Sequence, residues 1–557
     1  MRRGDDHQTI RRPEGSRIPP YGSNHSALRS GEVPPDVIAP DVSKPNGLDV
    51  LVCGAGPTGL VLALRLVRAG VRLRIIDAAA EPGTTSRALV VHARTLEFYR
   101  QMGLADALLA EGLPFTAANM WVRGRRVARA VLGDMGKGLS PFPFMFVCPQ
   151  DRHERFLIEH LRRAGVEVER PMALVDFTQD GGGVKARLQD ASGAIQECAA
   201  SYLAGCDGAH SKVRDVLGVG FPGGTYERIF YVADLEATGP VMNDELHVAL
   251  DDVEFMAAFP LKGGHTARLI GTVRAEQESV RESLTWDDVG GRVAQRMGID
   301  VQRVNWFSTY RVHHRVAHAF QQGRAFLLGD AAHIHSPVGA QGMNTGIGDA
   351  VNLAWKLADV LRGRGPEALL DTYAPERMSF AQRLIATTDR GFTVATSPTA
   401  RARVVRTRIL PRVFPIAVRL PSVRRLMFRT VSQIAIHYRG QALSAGKVGP
   451  VEGGDRLPWV ELDGGSGRTD NYAVLDGREW QVHVYGTPAA GIAEASAARG
   501  VAFHAFGWQD AMAKAGLTRN ALYLVRPDGY VALADDGKSP APMLAWADAH
   551  FGERVAR

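Results

Sequence analysis

The sequence predicts an α/β protein in three parts: a Rossmann-like GxGxxG dinucleotide-binding domain, a β-sheet domain inserted into it, and a smaller α/β domain at the C-terminus. Three observations predict this. Residues 49–77, DVLVCGAGPTGLVLALRLVRAGVRLRIID, read as strand, glycine turn, helix, strand and acid. Residues 225–312 are strand-rich and interrupt the mixed pattern on either side. After a Gly/Asp-rich linker, KVGPVEGGDRLP, the chain closes with strand, helix, strand and a hairpin.

The first element follows from elementary chemistry. Asp49 to Cys53 are mostly apolar and β-prone, as a strand buried on both faces must be. Gly54 permits a tight turn, Gly56 lets a pyrophosphate approach the backbone, and Gly59 lets the helix pack on the strand. Pro57 and Thr58 complete that turn, and the helix Leu60 to Ala69 presents free N–H groups and a positive dipole end to phosphates. Asp77, at the end of the second strand, can accept from a ribose hydroxyl. The fingerprint does not choose between NAD and FAD.

A chain of 557 residues is too long for one core, and 45% apolar with 22% charged residues is an ordinary soluble composition. No apolar run reaches membrane-spanning length, and the arginine-containing N-terminus lacks the hydrophobic core of a secretory signal. Cys53, Cys148, Cys198 and Cys206 are scattered, which argues against disulfides or a thiolate metal site and favours a reducing, cytoplasmic compartment. The net charge of +7 has a local origin, since Arg401 to Gly440 holds ten arginines and no acid. These arginines alternate with Val, Ile, Leu and Phe, and Pro411, Pro415 and Pro421 break the run. Short amphipathic helices with solvated arginine faces are therefore expected, not a nucleic-acid or membrane partner.

Residues 1–47 carry seven prolines and no apolar periodicity, and are expected to be a disordered extension. The dinucleotide domain then spans 48–224, with a helical segment at SRALVVHARTLEFYRQMGLADALLAEG, a helix over 151–164 and a β-meander from Val166 to Gly205. An NAD-type domain would instead continue with βα units. The sheet domain over 225–312 has one helical interruption, LTWDDVGGRVAQRMG, and the dinucleotide domain resumes over 313–450 with helices from Asn344 to about Tyr438. The last unit, 455–557, has thioredoxin-like order with Pro527-Asp528-Gly529 as its hairpin turn. It contains no cysteine, so thiol–disulfide chemistry is excluded there, and it is expected to serve assembly or stability.

Two further stretches bear on the cofactor. YLAGCDGAHSKVRDVLG (Tyr202 to Gly218) is a strand ending in Asp207-Gly208 before a helix start. GRAFLLGDAAHIHSPVGAQGMNTGIGDAVNLAWKLADVL (Gly323 to Leu361) delivers Gly329-Asp330, a Pro/Gly loop and a long helix. With GAGPTG these resemble the three flavin motifs of the single-component FAD-dependent aromatic hydroxylases, the para-hydroxybenzoate hydroxylase family. The tail resembles the redox-dead thioredoxin-like domain of its phenol and polyketide hydroxylase branch.

The resemblance implies a non-covalent FAD and a transient NADPH or NADH reductant. Asp77 would hold the adenosine ribose, Arg87 would contact the flavin side, and Gln150 would touch the ribityl chain with Arg152 behind it. Asp207 would be linked to both FAD and the nicotinamide, and Asp330 would bind the ribityl chain. Pro337 and Gly339 to Asn344 would line the reactive edge of the flavin, which makes Pro337 and Arg87 the candidate catalytic residues. The implied activity is NAD(P)H- and O2-dependent hydroxylation of a phenolic or polyketide-type aromatic through a flavin hydroperoxide. Baeyer–Villiger oxygenation of a ketone on the same fold and a non-catalytic flavoprotein are the alternatives, and a homodimer is left open.

The loop also makes sense on its own chemistry. Reduced flavin is anionic near its pyrimidine carbonyl, and the N–H groups of Gly342, Met343 and Asn344 open a helix there. His313, His314, His318, His333 and His335 lack HExxH spacing and a nearby cysteine, so no metal is expected. Among Phe230, Tyr231, Phe255, Phe259 and Phe307, one or two are expected to line the substrate cavity.

Overall fold

The structure, a computed structural model, describes residues 47–83, 88–250, 255–273, 284–335, 340–396, 399–464 and 467–551. The N-terminal extension therefore lies outside the described residues. The strand Leu48–Cys53 is buried on both faces and sits centrally in an eight-stranded sheet. It pairs in parallel with Leu73–Ile76 on one side and Ile195–Gly205 on the other, and Ile195–Gly205 pairs in parallel with Ala325–Leu327. The hairpin Met172–Asp180/Gly183–Asp190 extends this sheet antiparallel to Ile195–Gly205. Helices Pro57–Arg68, Gln150–Arg163 and Gly342–Leu361 cover it, and Val50, Leu51, Val52, Leu60, Leu157 and Leu353 are all completely buried beneath them.

The second sheet is larger than residues 225–312. Its strands Gly223–Thr238 and Asp300–Val316 run past both ends of that range, and it recruits the hairpin Ala117–Val122/Arg125–Val131 from the first segment. Arg123 and Gly124, at φ 53° and 74°, form the two-residue turn of that hairpin. Leu246–Leu250 pairs in parallel with Ala117–Val122, a contact made across more than a hundred residues of chain. Local pattern cannot reveal such a pairing. The helical segment expected from Ser86 to Gly112 likewise opens with a two-residue strand, Val90–Val91, because Val90 pairs with Val147; helices Ala93–Gln101 and Ala105–Leu109 follow.

At the C-terminus six strands form a mixed sheet in the expected thioredoxin-like arrangement, with Gln481–Tyr485 parallel to Ala502–Phe506 and antiparallel to Leu522–Val525. The expected hairpin is present: the Gly529 N–H donates to the Arg526 carbonyl at 2.8 Å across Pro527-Asp528-Gly529. The linker is not a flexible tether. Ala445–Val448 pairs in parallel with Val531–Asp535, turns at Gly449 (φ 58°) and returns as Val451–Glu452. The basic run forms helices Ala400–Val404, Leu410–Ala417 and Pro421–Val431; besides arginines it exposes Ile416 and Leu426, at 64% and 67%. No helix among the described residues is long and apolar enough to cross a membrane.

Candidate active site

The parallel register sets Cys53 beside Gly205 and Gly205 beside Leu327. Three strands thus end together, and Gly54, Asp207 and Gly329-Asp330 emerge at one edge. In open α/β sheets this carboxyl edge is where nucleotides bind.

The glycines there differ in purpose. A β-carbon on Gly54 (φ 102°) would lie 2.3 Å from the Cys206 carbonyl oxygen and 2.8 Å from the Asp207 Cα, so the first and second motifs touch. One on Gly59 would strike the Gly54 carbonyl at 2.0 Å. At Gly56 nothing lies within 4 Å, which leaves the backbone open to a ligand just before the helix Pro57–Arg68. Thr58 Oγ1 would be 2.7 Å from a β-carbon on Gly329 (φ 58°) and 2.3 Å from one on Gly346, so the third motif closes on the first.

The carboxylates divide in the same way. Asp77 accepts from the N–H groups of Ala55 (2.7 Å) and Ala79 (2.9 Å) and forms an ion pair with Arg170 (3.0 Å), which fixes the glycine turn to the second strand. Asp207 uses Oδ2 to accept the Val213 N–H at 3.0 Å, while its buried Oδ1 has no partner among the described residues. Burial raises its carboxyl above the usual range. A buried acceptor of this kind fits a donor brought by a ligand. Asp330 is exposed, on the single 3₁₀ turn Gly329–Ala331. Gln150 starts the helix Gln150–Arg163 and donates to Glu154 at 2.6 Å.

The helix Gly342–Leu361 begins at this edge, and an α-helix leaves its first N–H groups without intrahelical acceptors. Those are Gly342, Met343 and Asn344, and a β-carbon on Gly342 would lie 3.7 Å from the His335 ring. The Asn344 side chain itself is committed to the protein. It accepts from the His92 N–H (2.9 Å) and Thr95 (2.8 Å), and donates to the carbonyls of Val90 (2.9 Å) and Ala340 (3.0 Å). Arg87, Pro337 and Gly339 lie outside the described residues.

The sheet face beside this edge carries the aromatic residues. Register aligns Phe259 with Arg268, Arg268 with Asp234, and Asp234 with Trp306. Alternation then puts Phe230, Phe255, Tyr310 and Ile270 on the same face, where Phe230, Val232, Tyr310 and Val312 form a buried cluster. Phe259 and Leu261 pack against Leu89, Val90 and Ala340, which joins this face to the loop before the long helix. Tyr231 and Phe307 instead stack at 6.2 Å on the opposite face, with Tyr231 against Trp286. They are core residues.

Two groups escaped the sequence reading. Arg268 is fully buried, pairs with both Asp234 oxygens (2.7 and 2.6 Å) and donates to the Ala88 carbonyl at 3.2 Å. Its signal was an arginine in the apolar strand TARLIGT facing an aspartate in YVADLEA. Asp349 is completely buried and accepts from the Gly329 N–H (2.9 Å), His333 (2.7 Å) and Arg377 (2.6 Å). Burial would raise its carboxyl, but the Arg377 guanidinium and His333 outweigh that and lower it. His333 thus belongs to a structural carboxylate.

Comparison with known proteins points the same way. A family model of the FAD binding domain matches residues 47–388, and one of the aromatic-ring hydroxylase C-terminal domain matches 452–553. The chain is 38% identical to 6-methylpretetramide 4-monooxygenase of Streptomyces rimosus over 418 residues, 72% of each chain. It is 32% identical over 520 residues to a flavin-dependent monooxygenase of Mycobacteroides abscessus, covering 89% of this chain and 99% of that one. The solved anhydrotetracycline hydroxylase of Streptomyces rimosus superposes with a TM-score of 0.73 at 29% identity, over 91% of this chain and 99% of that one.

Proposed function

This chain belongs to the family of FAD-dependent aromatic-ring hydroxylases, and we propose that its substrate is a polycyclic, polyketide-type phenol, hydroxylated with NAD(P)H and O2. The observation that carries the substrate class is the aromatic face beside Ala340, where Phe259 and Trp306 are partly open and Phe230 and Tyr310 form a buried backing. Flat rings stack on such a face, at about 0.5–1.5 kcal/mol per contact beyond area burial. The relatives named for pretetramide and anhydrotetracycline support the polycyclic class.

FAD, when bound, supplies the activation of O2. The chain's own residues hold and orient it. Gly54, Gly56, Pro57, Thr58 and Gly59 would take the pyrophosphate, Asp77 the adenosine ribose, and Asp207, Asp330 and Gln150 the ribityl side; the resemblance alone assigns Arg87 to the flavin. The N–H groups of Gly342, Met343 and Asn344 offset negative charge at the flavin, an effect of about 0.3–2 kcal/mol for a helix N-terminus. The family resemblance assigns Pro337 to the reactive edge, where excluding water would protect the oxygenating flavin. Arg268, neutralised by Asp234, holds the segment at Ala88 against the aromatic face. A second GxGxxG match, GVGFPG at 218–223, leads into the strand Gly223–Thr238 and not into a helix, so Gly54–Gly59 alone has the strand–turn–helix context of a dinucleotide site, and the nicotinamide docks transiently and leaves. Four buried, unpaired cysteines accord with a reducing cytoplasm.

The test is anaerobic stopped-flow reduction of the bound flavin by NADPH and by NADH, with and without a panel of simple phenols and hydroxylated anthraquinones. Reduction accelerated by the polycyclic compounds is expected. Acceleration by simple phenols alone would overturn the substrate class.

A further inference from the structure

The C-terminal unit reaches the flavin edge through one continuous set of buried charges. Arg526, completely buried beside the hairpin turn, donates to both oxygens of Glu376 (2.7 and 3.0 Å) and to both of Asp528 (3.1 and 2.6 Å). Glu376 also accepts from Asn352 (2.6 Å) and Lys356 (2.9 Å) on the long helix. The next residue, Arg377, donates to Asp349 (2.6 Å), the Tyr438 hydroxyl (2.9 Å) and the Thr345 carbonyl (3.1 Å). Tyr438 closes the circuit, because the Arg526 guanidinium lies 5.0 Å over its ring. Asp349 then grips the Gly329 N–H and His333, on either side of Asp330.

Three cations (Arg526, Lys356, Arg377) thus balance three carboxylates (Glu376, Asp528, Asp349), all nearly or completely inaccessible to solvent. A buried ion set is a poor way to gain stability, since well-packed apolar side chains of the same volume do as well or better. What charge-assisted, directional bonds supply is fixed geometry. One end of this set is a turn of the C-terminal unit, and the other is the left-handed Gly329 turn that carries Asp330.

We propose that Arg526 is a positioning residue for the Gly329–Asp330 turn, acting through Glu376, Arg377, Tyr438 and Asp349. The C-terminal unit thereby sets FAD affinity without touching FAD; this rests on the reading of that turn as part of the FAD site. The relay gives the cysteine-free unit a role in the flavin site itself.

The test uses the full-length holoenzyme and three variants: Arg526→Lys, Tyr438→Phe and Trp480→Phe. Trp480 belongs to the same domain contact but donates to Asp359 (3.0 Å), at the far end of the long helix. FAD dissociation constants, flavin visible spectra and melting temperatures are measured for each. Tyr438→Phe keeps the ring and loses one hydrogen bond, so FAD should bind about 2- to 10-fold more weakly. Arg526→Lys loses the fork geometry and should lose at least as much, with a shifted flavin spectrum. Trp480→Phe should lower the melting temperature and leave FAD affinity and spectrum at wild-type values. Unchanged affinity in Tyr438→Phe would overturn the proposal, as would losses in all three variants that track melting temperature. If Arg526→Lys does not fold, Tyr438→Phe decides. Wild-type protein that binds no FAD would refute the site reading instead.

Discussion

A β-carbon on Gly54 would sit 2.3 Å from the Cys206 carbonyl oxygen, whereas one on Gly56 would meet nothing within 4 Å. The two glycines therefore fail differently when replaced. Gly54→Ala forces backbone apart at a positive φ, and an unfolding free energy lowered by roughly 1–3 kcal/mol is expected even without cofactor. Gly56→Ala should leave apoprotein stability within about 0.5 kcal/mol while FAD affinity falls sharply, because the new methyl occupies the pyrophosphate path. Equal losses of apoprotein stability in the two variants would contradict this account. Asp330 gives a third case. If its exposed carboxylate accepts a ribityl hydroxyl, Asp330→Ala should weaken FAD binding about 10- to 100-fold, the worth of a charge-assisted bond. Fluorescence titration that finds unaltered affinity would make Asp330 a turn residue only. Residue types at this edge were legible because a phosphate needs glycine, and a ribose needs an acid, at fixed spacing. The committed state of Asn344 was not, since its four partners come from residues 90–95 and 340.

Elements were legible where local periodicity decides them and illegible where pairing across the chain does. The strand–turn–helix start, the helix Gln150–Arg163 and the C-terminal hairpin follow from alternation, amphipathicity and turn residues. The hairpin Ala117–Val131 joins the second sheet only because Leu246–Leu250 comes to meet it. The long helix illustrates the same limit in its charges. DAVNLAWKLADVL reads as an apolar helix, yet Asp349, Asn352, Lys356 and Asp359 are all buried. Each meets a partner from a distant segment.

Glu376 shows the consequence for pH. Burial would raise its carboxyl, but the Arg526 guanidinium and Lys356 ammonium overcome this and hold it at about 2, against an ordinary 4.5. Lys356 shares that one carboxylate with Arg526 and is less well compensated, so burial lowers it to about 8. Because the folded-state value of Glu376 is depressed, its contribution is fully present above pH 4.5 and lost as pH falls toward 2, a difference of about 3 kcal/mol. Chemical denaturation at pH 7 and pH 3 should therefore show a larger stability gap between wild type and Glu376→Gln at pH 7. A gap independent of pH would refute the ionised assignment. On the aromatic face, Phe259→Ala and Trp306→Ala should raise KM for polycyclic phenols about 2- to 10-fold, and less for single-ring phenols. Equal effects on both would mean that the face does not read ring number.

At the scale of the whole molecule, the three parts are not independent units. The expected linker is a sheet edge, and the C-terminal hairpin buries Arg526 and Asp528 against Glu376, Lys356 and Trp355. Arg456, from the same region, pairs with the buried Glu97 at 2.9 Å. A truncation after Val451 would leave these charges without partners and Ala445–Val448 without its neighbour, so it should be insoluble or unfolded. Soluble, folded truncated protein in size-exclusion chromatography would contradict that. Length and motif order did report an α/β protein of several domains, but which faces they share is set by long-range contacts.

GAGPTG, Cys206-Asp207-Gly208 and Gly329-Asp330 converge at a single sheet edge, the place proposed for FAD. Denaturing the purified full-length protein and quantifying the flavin released into the supernatant tests this most directly. One free, unmodified FAD per chain is the predicted result. Colourless protein that gains no flavin absorbance on reconstitution with FAD would contradict it.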